Sequence, residues 1–209
     1  MLRPAYSRQP HGDPIRCGGR AIARPPRSPP WPSTQLARLN GARVISVDLV
    51  PARRKLAERL GASLTLDPAA DEVAERVRAL TSNLGADVVI EMSGSYHALQ
   101  EAVRTAAYSS RVVVGGFFQG PATPVRLGEE FHHNRVAVIG SQISGVAPAL
   151  QHRWDELRMS TTALELANER RLDLRSLITH TLPAEDAPAA FEMLDQSPEA
   201  ALQVVLDYR

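Results

Sequence analysis

The sequence predicts an α/β fold in which helices cover both faces of a parallel sheet. From residue 34 onward, short β-branched apolar runs alternate with segments of helical periodicity, a pattern typical of βαβ units. The run Arg43-Val-Ile-Ser-Val-Asp48 is the clearest strand, because it is almost entirely apolar before it ends on one acid. Buried parallel strands have this character, and right-handed crossovers between them produce a doubly wound sheet.

The elements follow in a regular order along the chain. Strands are predicted at 44–47, 64–66, 87–92, 111–116 and 135–140. Helices are predicted at 34–41, 52–60, 71–80 and 96–107, and Gly61 is expected to cap the second. Beyond Gly145 we expect a helix at 154–168, an extended segment at 177–183, a helix at 187–195 and a strand at 202–206.

Asp48 indicates what such a sheet would bind. An acid at the tip of the second strand is where a dinucleotide-binding fold hydrogen-bonds the adenosine ribose. A Gly-x-Gly-x-x-Gly turn should lie about 20 residues before that acid. Residues 22–31 contain no glycine, and their prolines have no N–H to offer a phosphate. We therefore predict an incomplete Rossmann-type doubly wound sheet that lacks its first strand and its glycine turn.

Composition narrows the class of protein. The formal net charge is +1, which gives no electrostatic case for nucleic acid or for a membrane surface. The single cysteine, Cys17, excludes an intramolecular disulfide, and no apolar run approaches the roughly 20 residues of a spanning helix. The expected location is therefore the cytoplasm, with no nucleic acid and no membrane as partners.

Residues 1–33 differ from the rest of the chain. They hold half of the 16 prolines and are rich in arginine, so we expect a disordered leader. An arginine-rich arm that binds nucleic acid is the alternative, but the segment has no periodicity. The abrupt change near Ser33 suggests a frameshifted or wrongly started leader. The predicted organisation is thus a leader at 1–33, a partial dinucleotide-binding domain at 34–145 and a C-terminal segment at 146–209.

Four ordered motifs carry a family resemblance over residues 34–208. They are Gly85-Ala-Asp-Val-Val-Ile-Glu-Met-Ser-Gly94, Arg111-Val-Val-Val-Gly-Gly-Phe117, Ile178-Thr-His-Thr-Leu-Pro183 and Gln203-Val-Val-Leu206. Together they resemble the C-terminal half of zinc-type medium-chain alcohol dehydrogenases and reductases. Phe131-His-His-Asn-Arg135 and Gly140-Ser-Gln142 are most similar to a bacterial branch with bacteriochlorophyllide dehydrogenase-like members.

The resemblance implies a set of residues around the cofactor. Asp48 would bind the adenosine ribose and Arg53 the adenine end. Gly94, Gly115 and Gly116 would let the backbone approach the cofactor, since side chains there would block contact. Ser141 and Gln142 would lie near the nicotinamide carboxamide.

Structural alternatives remain open for several of these residues. Asp48 could be a solvated acid at a strand end, and Gly115-Gly116 could simply mark a turn in the backbone. Arg53 could belong to the charged outer face of its helix.

The histidines give weaker signals than the motifs. His132 and His133 are adjacent and would diverge, so a shared metal is disfavoured and surface or dimer contacts are expected. We expect His180 to be structural rather than catalytic.

The resemblance implies an NAD-dependent dehydrogenase that transfers hydride between an alcohol or carbonyl substrate and nicotinamide. NADP is less favoured, because a carboxylate at position 48 would repel a 2′-phosphate. The family's catalytic lobe supplies zinc, which this chain is not expected to bind, because Cys17, His11 and Asp13 lie in the proline-rich leader.

Without that lobe, we expect the chain to be a truncated part that is inactive alone and has no catalytic residues of its own. The alternative function is a non-catalytic nucleotide-binding or dimerisation module, with a homodimer formed through Val136–Ile139. A methyltransferase-like α/β domain is disfavoured by the 178–183 motif.

Overall fold

The computed structural model of the chain describes residues 20–23, 31–141 and 145–209, which divide into two compact units. The larger unit comprises the described residues from Trp31 to Ser176, and the smaller joins residues 20–23 to residues 177–209. The division therefore falls after Ser176, whereas the sequence suggested one after residue 145. Gln142 lies outside the described residues, as do residues 1–19 and 24–30.

The first sheet of the larger unit is a parallel pair of short strands. Strand β2 (Ile45–Val47) pairs with β3 (Leu64–Leu66), and helix α2 (Pro51–Arg59) connects them. Pro51 begins α2, where a missing N–H costs nothing, and Gly61 follows its end at φ +103°. Helix α1 (Trp31–Leu39) precedes β2.

The second sheet contains three parallel strands. Strand β5 (Ala106–Val114) lies between β4 (Ala86–Glu91) and β6 (Ala137–Gly140). Helix α3 (Val73–Leu80) leads into β4, and helix α4 (Tyr96–Thr105) connects β4 to β5. A short irregular helical segment, Leu127–Phe131, precedes β6.

Each sheet has its own apolar core. In the first, two buried valines of α3 pack on β2, β3 and the start of β4; these residues are Ile45, Leu64, Leu66, Val73, Val77 and Ala86. In the second, α4 packs on β5 beside Val136; the buried members are Ala102, Val103, Ala106, Val112 and Val136. Because α3 contacts both β3 and the start of β4, it links the two sheets within one unit.

The strand order shows where the sheet is incomplete. A doubly wound sheet has the order 3-2-1-4-5-6. Here the described strands form one sheet with β2 beside β3 and another in the order β4-β5-β6. The break falls at the position of the first strand of the complete order. The predicted α/β class and the incomplete Rossmann-type sheet are confirmed.

One predicted boundary within this sheet is wrong. The sequence suggested a helix through residue 107 and a strand from 111, but α4 ends at Thr105 and β5 begins at Ala106. Ala106 is fully buried in the core and pairs with Ala86. Burial and pairing therefore override the helical preference of the alanine-rich 106–107 stretch.

The smaller unit has a three-stranded sheet of its own. Strand β8 (Val204–Asp207) pairs in parallel with β7 (His180–Pro183) and antiparallel with β1 (Arg20–Ala23). Helix α6 (Ala187–Gln196) covers this sheet with a buried core of Ala190, Leu194, Ala201, Val204 and Leu206.

Two parts of the predicted leader, residues 20–23 and 31–33, are among the described residues. Arg20–Ala23 forms β1, and α1 begins at Trp31. The four residues of β1 contain no proline, so every one of them can pair with the open edge of β8.

Helix α5 (Glu156–Asn168) differs from the other helices in having no buried residue, and Leu157 and Leu164 are exposed. Its N-terminus is capped by the Asp155 side chain, which accepts from the Arg158 N–H at 2.7 Å. Within the described residues no helix combines the length and the apolar character needed to span a bilayer.

Candidate functional site at the carboxyl ends of the strands

Within each sheet of the larger unit, the carboxyl ends of the parallel strands lie at one edge. Strands β2 and β3 are parallel, as are β4, β5 and β6. Helix α3 lies between β3 and β4 in the chain, as a crossover helix between parallel strands does. In open α/β sheets the ligand crevice lies outside these carboxyl ends. The residues that follow β2, β4, β5 and β6 are therefore the candidate site.

Asp48 directly follows β2 and is half-buried. Its Oδ1 accepts a hydrogen bond from the Val50 N–H at 2.8 Å, and its own N–H donates to the Leu66 carbonyl at 3.3 Å. Partial burial raises the pKa of the Asp48 carboxyl above its ordinary value, against the opposing effects of the Val50 N–H and the charges of Arg53 and Arg54. The carboxylate is thus held at the strand tip in a partly desolvated position.

Two arginines of α2 surround this strand tip. Arg54 donates from Nη1 to the Asp48 carbonyl at 2.7 Å, and its Nη2 lies 3.0 Å from Asp67 Oδ2. Arg54 therefore fixes the loop between β2 and α2 to the residue that follows β3. Arg53 is only 8% exposed. Its burial contradicts the alternative that Arg53 belongs to the charged outer face of the helix.

Glu91 is a buried acid at the last position of β4. Its Oε1 accepts from the Ser93 N–H at 2.7 Å and from the Ser93 hydroxyl, and its Oε2 accepts from the Gly94 N–H at 3.3 Å. Its carbonyl accepts from Gly115 and Gly116 at 2.8 and 3.0 Å. One residue therefore holds together the turns that follow β4 and β5.

The predicted glycines fill positions where side chains would collide with the protein itself. A Cβ on Gly94, which has φ +70°, would lie 2.2 Å from the Phe117 carbonyl oxygen. A Cβ on Gly116 would lie 2.3 Å from the Gly94 nitrogen, and one on Gly115 would lie 2.5 Å from Met92 Sδ. Such contacts are far inside van der Waals distance. The close packing of the two turns therefore accounts for these glycines without any ligand.

Ser141 extends the site to the third strand tip. Its N–H donates to the Val114 carbonyl at 2.7 Å, which places it beside Gly115 at the end of β5. The structure thus brings together four predicted residues, Gly94, Gly115, Gly116 and Ser141, and groups Asp48 with Arg53 at the neighbouring sheet. The second residue predicted near the carboxamide, Gln142, lies outside the described residues.

The histidines do not form a metal site within the described ranges. His132 and His133 are both exposed, with ring centroids 5.4 Å apart in an edge-to-face arrangement. His180 Nδ1 lies 3.0 Å from Thr179 Oγ1 at the start of β7, in the other unit. Among residues 31–141 and 145–209, no three His, Cys, Asp or Glu side chains are grouped so that they could hold a metal ion.

Two contributors to the site were not predicted from the sequence. Glu91 had a recognisable signal, because an acid that ends a long apolar strand and precedes Ser-Gly is suited to accept from the turn's N–H groups. Arg54 had none, since nothing in the order Arg53-Arg54 tells which arginine reaches back to the strand tip.

These features define a class of protein. A parallel sheet with an acid at one strand tip and glycine-containing turns at the next is typical of dinucleotide-binding folds, and the described strands of this chain do not include the first strand of that order.

The comparisons agree with this class. Residues 33–162 match the family model of zinc-binding dehydrogenases. The chain belongs to that family.

Individual relatives show how far the similarity extends. D-Guloside 3-dehydrogenase of Escherichia coli K12 is 33% identical over 172 residues, which are 81% of this chain and 49% of the relative. The crystal structure of an alcohol dehydrogenase from Thermotoga maritima superposes with a TM-score of 0.70 at 28% identity, covering 85% of this chain and 46% of that one. The structure of a zinc-binding dehydrogenase from Sinorhizobium meliloti bound to NADP superposes with a TM-score of 0.67 at 26% identity, covering 85% of this chain and 48% of that one.

The chain therefore spans about half the length of the relatives it matches. The resemblance to the dehydrogenase family is confirmed, and the narrower bacterial branch stays a prediction.

Proposed function

We propose that this chain is the cofactor-binding part of an NAD-dependent dehydrogenase that interconverts alcohols and carbonyl compounds. The observation that carries the proposal is the half-buried Asp48 at the carboxyl end of β2, in a chain of the zinc-binding dehydrogenase family. A carboxylate at that position accepts hydrogen bonds from both adenosine ribose hydroxyls. It would repel the 2′-phosphate of NADP, so we propose NAD as the cofactor.

The other strand tips would serve the remaining parts of the cofactor. By the family resemblance, the turns that contain Gly94, Gly115 and Gly116 would lie against the ribose, and Ser141 and Gln142 would lie near the carboxamide. Arg53 would contribute to the adenine end. The nicotinamide supplies the hydride acceptor when it is bound, while the chain's own residues bind and orient it.

The catalytic step needs groups outside the described residues. Those residues offer no set of ligands for zinc, so no step through a metal is assigned to them. We propose that a small alcohol or carbonyl compound is the substrate of the complete enzyme, that the cytoplasm is its location and that this chain alone does not turn over.

Isothermal titration calorimetry with NADH tests the proposal. The chain is expected to bind NADH and to bind NADPH at least about tenfold more weakly, because the phosphate would meet the Asp48 carboxylate. Asp48→Asn is expected to reduce that preference. Asp87→Asn is the matched control, because Asp87 is an exposed acid in β4. This variant should leave the affinities for NADH and NADPH unchanged. Equal affinity of the original chain for NADH and NADPH would contradict the proposed role of Asp48.

A second candidate function, a dimerisation module, is favoured by the exposed edge of β6. All four residues of β6 are exposed, and among the described strands it pairs only with β5. Val136 belongs to the buried core, so the proposed contact range of Val136–Ile139 loses its first residue. Analytical ultracentrifugation of Ile139→Lys tests whether the chain forms a dimer through β6. A dimer paired through β6 would dissociate in this variant, whereas the mass of a monomer would not change.

A further inference from the structure

An arginine lies beside the acid at the tip of β2. Arg54 Nη1 donates to the Asp48 carbonyl at 2.7 Å and to the Leu49 carbonyl at 3.0 Å. In dinucleotide-binding folds an acid at this tip suits the ribose of NAD, whereas a nearby arginine accommodates the 2′-phosphate of NADP. The tip of β2 therefore carries groups suited to either cofactor, and the setting of Arg54 decides between them.

Asp67 engages the other end of the Arg54 guanidinium. Its Oδ2 lies 3.0 Å from Arg54 Nη2, and the two side chains are 28% and 18% exposed, so solvent screens the pair only in part. A planar guanidinium with one nitrogen on two carbonyls and the other on a carboxylate is held in one orientation. Arg54 is therefore directed between the β2 and β3 tips, and its charge is compensated by Asp67.

The position of Asp67 is fixed by its own turn. Asp67 directly follows β3, as Asp48 directly follows β2, and the two strands are parallel and paired to their last residues. Its Oδ1 accepts from the Ala69 N–H at 3.0 Å, and its own N–H donates to Asp71 Oδ2 at 2.8 Å. Such local bonds from an aspartate hold a tight turn. The carboxylate that meets Arg54 is thus set in place by residues 67–71.

We propose that Asp67 is a positioning residue that determines cofactor preference, because it holds the Arg54 guanidinium away from a 2′-phosphate. The proposal rests on the proposed function, since it concerns the adenosine end of the same dinucleotide. With Asp67 in place, Arg54 is neutralised and Asp48 faces the ribose. Without the Asp67 charge, Arg54 keeps an uncompensated positive charge next to Asp48 and pairs with a phosphate on the ribose.

Calorimetry of the full-length Asp67→Asn chain provides the direct test. The probes are 5′-AMP and adenosine 2′,5′-bisphosphate, which differ only in the 2′-phosphate. Asparagine keeps an Oδ1 that can accept from the Ala69 N–H, so the turn is preserved. The affinity for the bisphosphate relative to 5′-AMP is expected to rise about tenfold, because a charge-assisted bond to the phosphate is gained. A purely structural role of Asp67 would change both affinities by the same factor.

Asp71→Asn is the matched control, because it removes a carboxylate from the same turn. Asp71 accepts from the Asp67 N–H, and its replacement leaves the ion pair between Arg54 and Asp67 in place. An asparagine oxygen can accept the same hydrogen bond. The ratio of the two probe affinities is therefore expected to change by less than about twofold.

A double-mutant cycle shows whether Asp67 acts through Arg54. Arg54→Met alone is expected to weaken both probes by the same factor, because the loop after β2 loses its anchor while no phosphate contact is lost. In the Arg54→Met background, Asp67→Asn should no longer raise the relative affinity for the bisphosphate. The cycle isolates the coupling of the two residues from the effect of removing one negative charge.

Several results would overturn the proposal. One is an unchanged probe ratio in Asp67→Asn, and another is an equal rise in Asp71→Asn. A rise that persists in the Arg54→Met background would show that Asp67 acts only as a charge. If Asp67→Asn does not fold, Arg54→Met still decides, because a selective loss of bisphosphate binding would show that Arg54 already serves the phosphate.

NADH and NADPH titrations separate this proposal from the proposed function. The predicted probe ratios without any NADH binding would support the role of Asp67 and contradict the dehydrogenase function. A preference of the original chain for NADH over NADPH that Asp67→Asn leaves unchanged would support the function and overturn the role of Asp67. If the original chain binds neither probe and neither dinucleotide, both are overturned.

Discussion

Gly94 and Phe117 approach each other so closely that a Cβ on Gly94 would lie 2.2 Å from the Phe117 carbonyl oxygen. Gly94 also has φ +70°, a region that side chains rarely adopt. This contact joins the turn after β4 to the turn after β5, and it therefore fixes how closely the two turns pack.

Gly94→Ala is expected to cost at least about 3 kcal/mol of unfolding free energy, because a steric overlap with Phe117 adds to about 1 kcal/mol of backbone strain. Gly120→Ala is the matched control. Gly120 has φ +74° but nothing within 4 Å of an added Cβ, so it should cost only about 1 kcal/mol. Urea denaturation measures both values, and equal costs would show that the Gly94–Phe117 contact has no role.

Glu91 organises the same turns through its carboxylate. Glu91→Gln replaces one acceptor oxygen with an NH2 group that faces N–H or O–H donors, so we expect a loss of about 1–3 kcal/mol. Glu58→Gln is the control, because its one described bond, from Thr65 Oγ1 to Oε1 at 2.7 Å, can be kept by an amide oxygen. Denaturant midpoints compare the two, and a Glu91→Gln protein as stable as the control would contradict the assignment.

Asp48 has a pH dependence with a definite sign. Its pKa is raised, mainly by burial, so its contribution to stability is present below the unfolded pKa and is lost as pH rises through the folded pKa. The Asp48→Asn variant has no carboxyl at this position, so it does not lose this stability as pH rises. The variant should therefore gain stability relative to the original chain as pH rises through the weakly acidic range. Melting temperatures between pH 3 and pH 7 test this, and a relative gain by the original chain would have the wrong sign.

Arg104 connects three elements of the larger unit. Its guanidinium contacts Glu75 of α3, Glu101 of α4 and Glu130 of the 127–131 segment. Because the group is partly exposed, Arg104→Met should cost only about 1–2 kcal/mol.

Arg126→Met is the control for Arg104, since Arg126 forms one exposed pair with Glu129. It should change stability by less than about 0.5 kcal/mol. Thermal melts at low and high salt should show a smaller difference between the two variants at high salt, whereas no difference at low salt would contradict the network.

Much of the fold could be predicted because pattern and burial agree. The 64–66 strand was placed with the bounds that the structure has, since Leu64 and Leu66 alternate with a polar residue and Leu66 faces the core. Local pattern failed where tertiary contacts decide. Ala106 has helical preference but pairs with Ala86, and β1 exists because β8 offers an open edge far away in sequence.

The site could be predicted in part for the same reason. Asp48 and the glycines stand at strand ends, which the sequence marks clearly. The burial of Arg53 and the reach of Arg54 to the Asp48 carbonyl depend on how α2 packs on β2. The need for Gly94 arises from Phe117, which is 23 positions away in the chain (117 − 94). The spacing of residues along the sequence predicts neither the packing of α2 nor the contact between Gly94 and Phe117.

Hydrogen exchange of the chain with and without NADH tests the central claim most directly. That claim is that the carboxyl ends of the strands form a dinucleotide crevice. The account predicts slower exchange at residues 48–54, 92–95 and 114–117 when NADH is present, because these segments surround the proposed site. Protection confined to residues 177–209, or no protection at any of the three segments at saturating NADH, would contradict it.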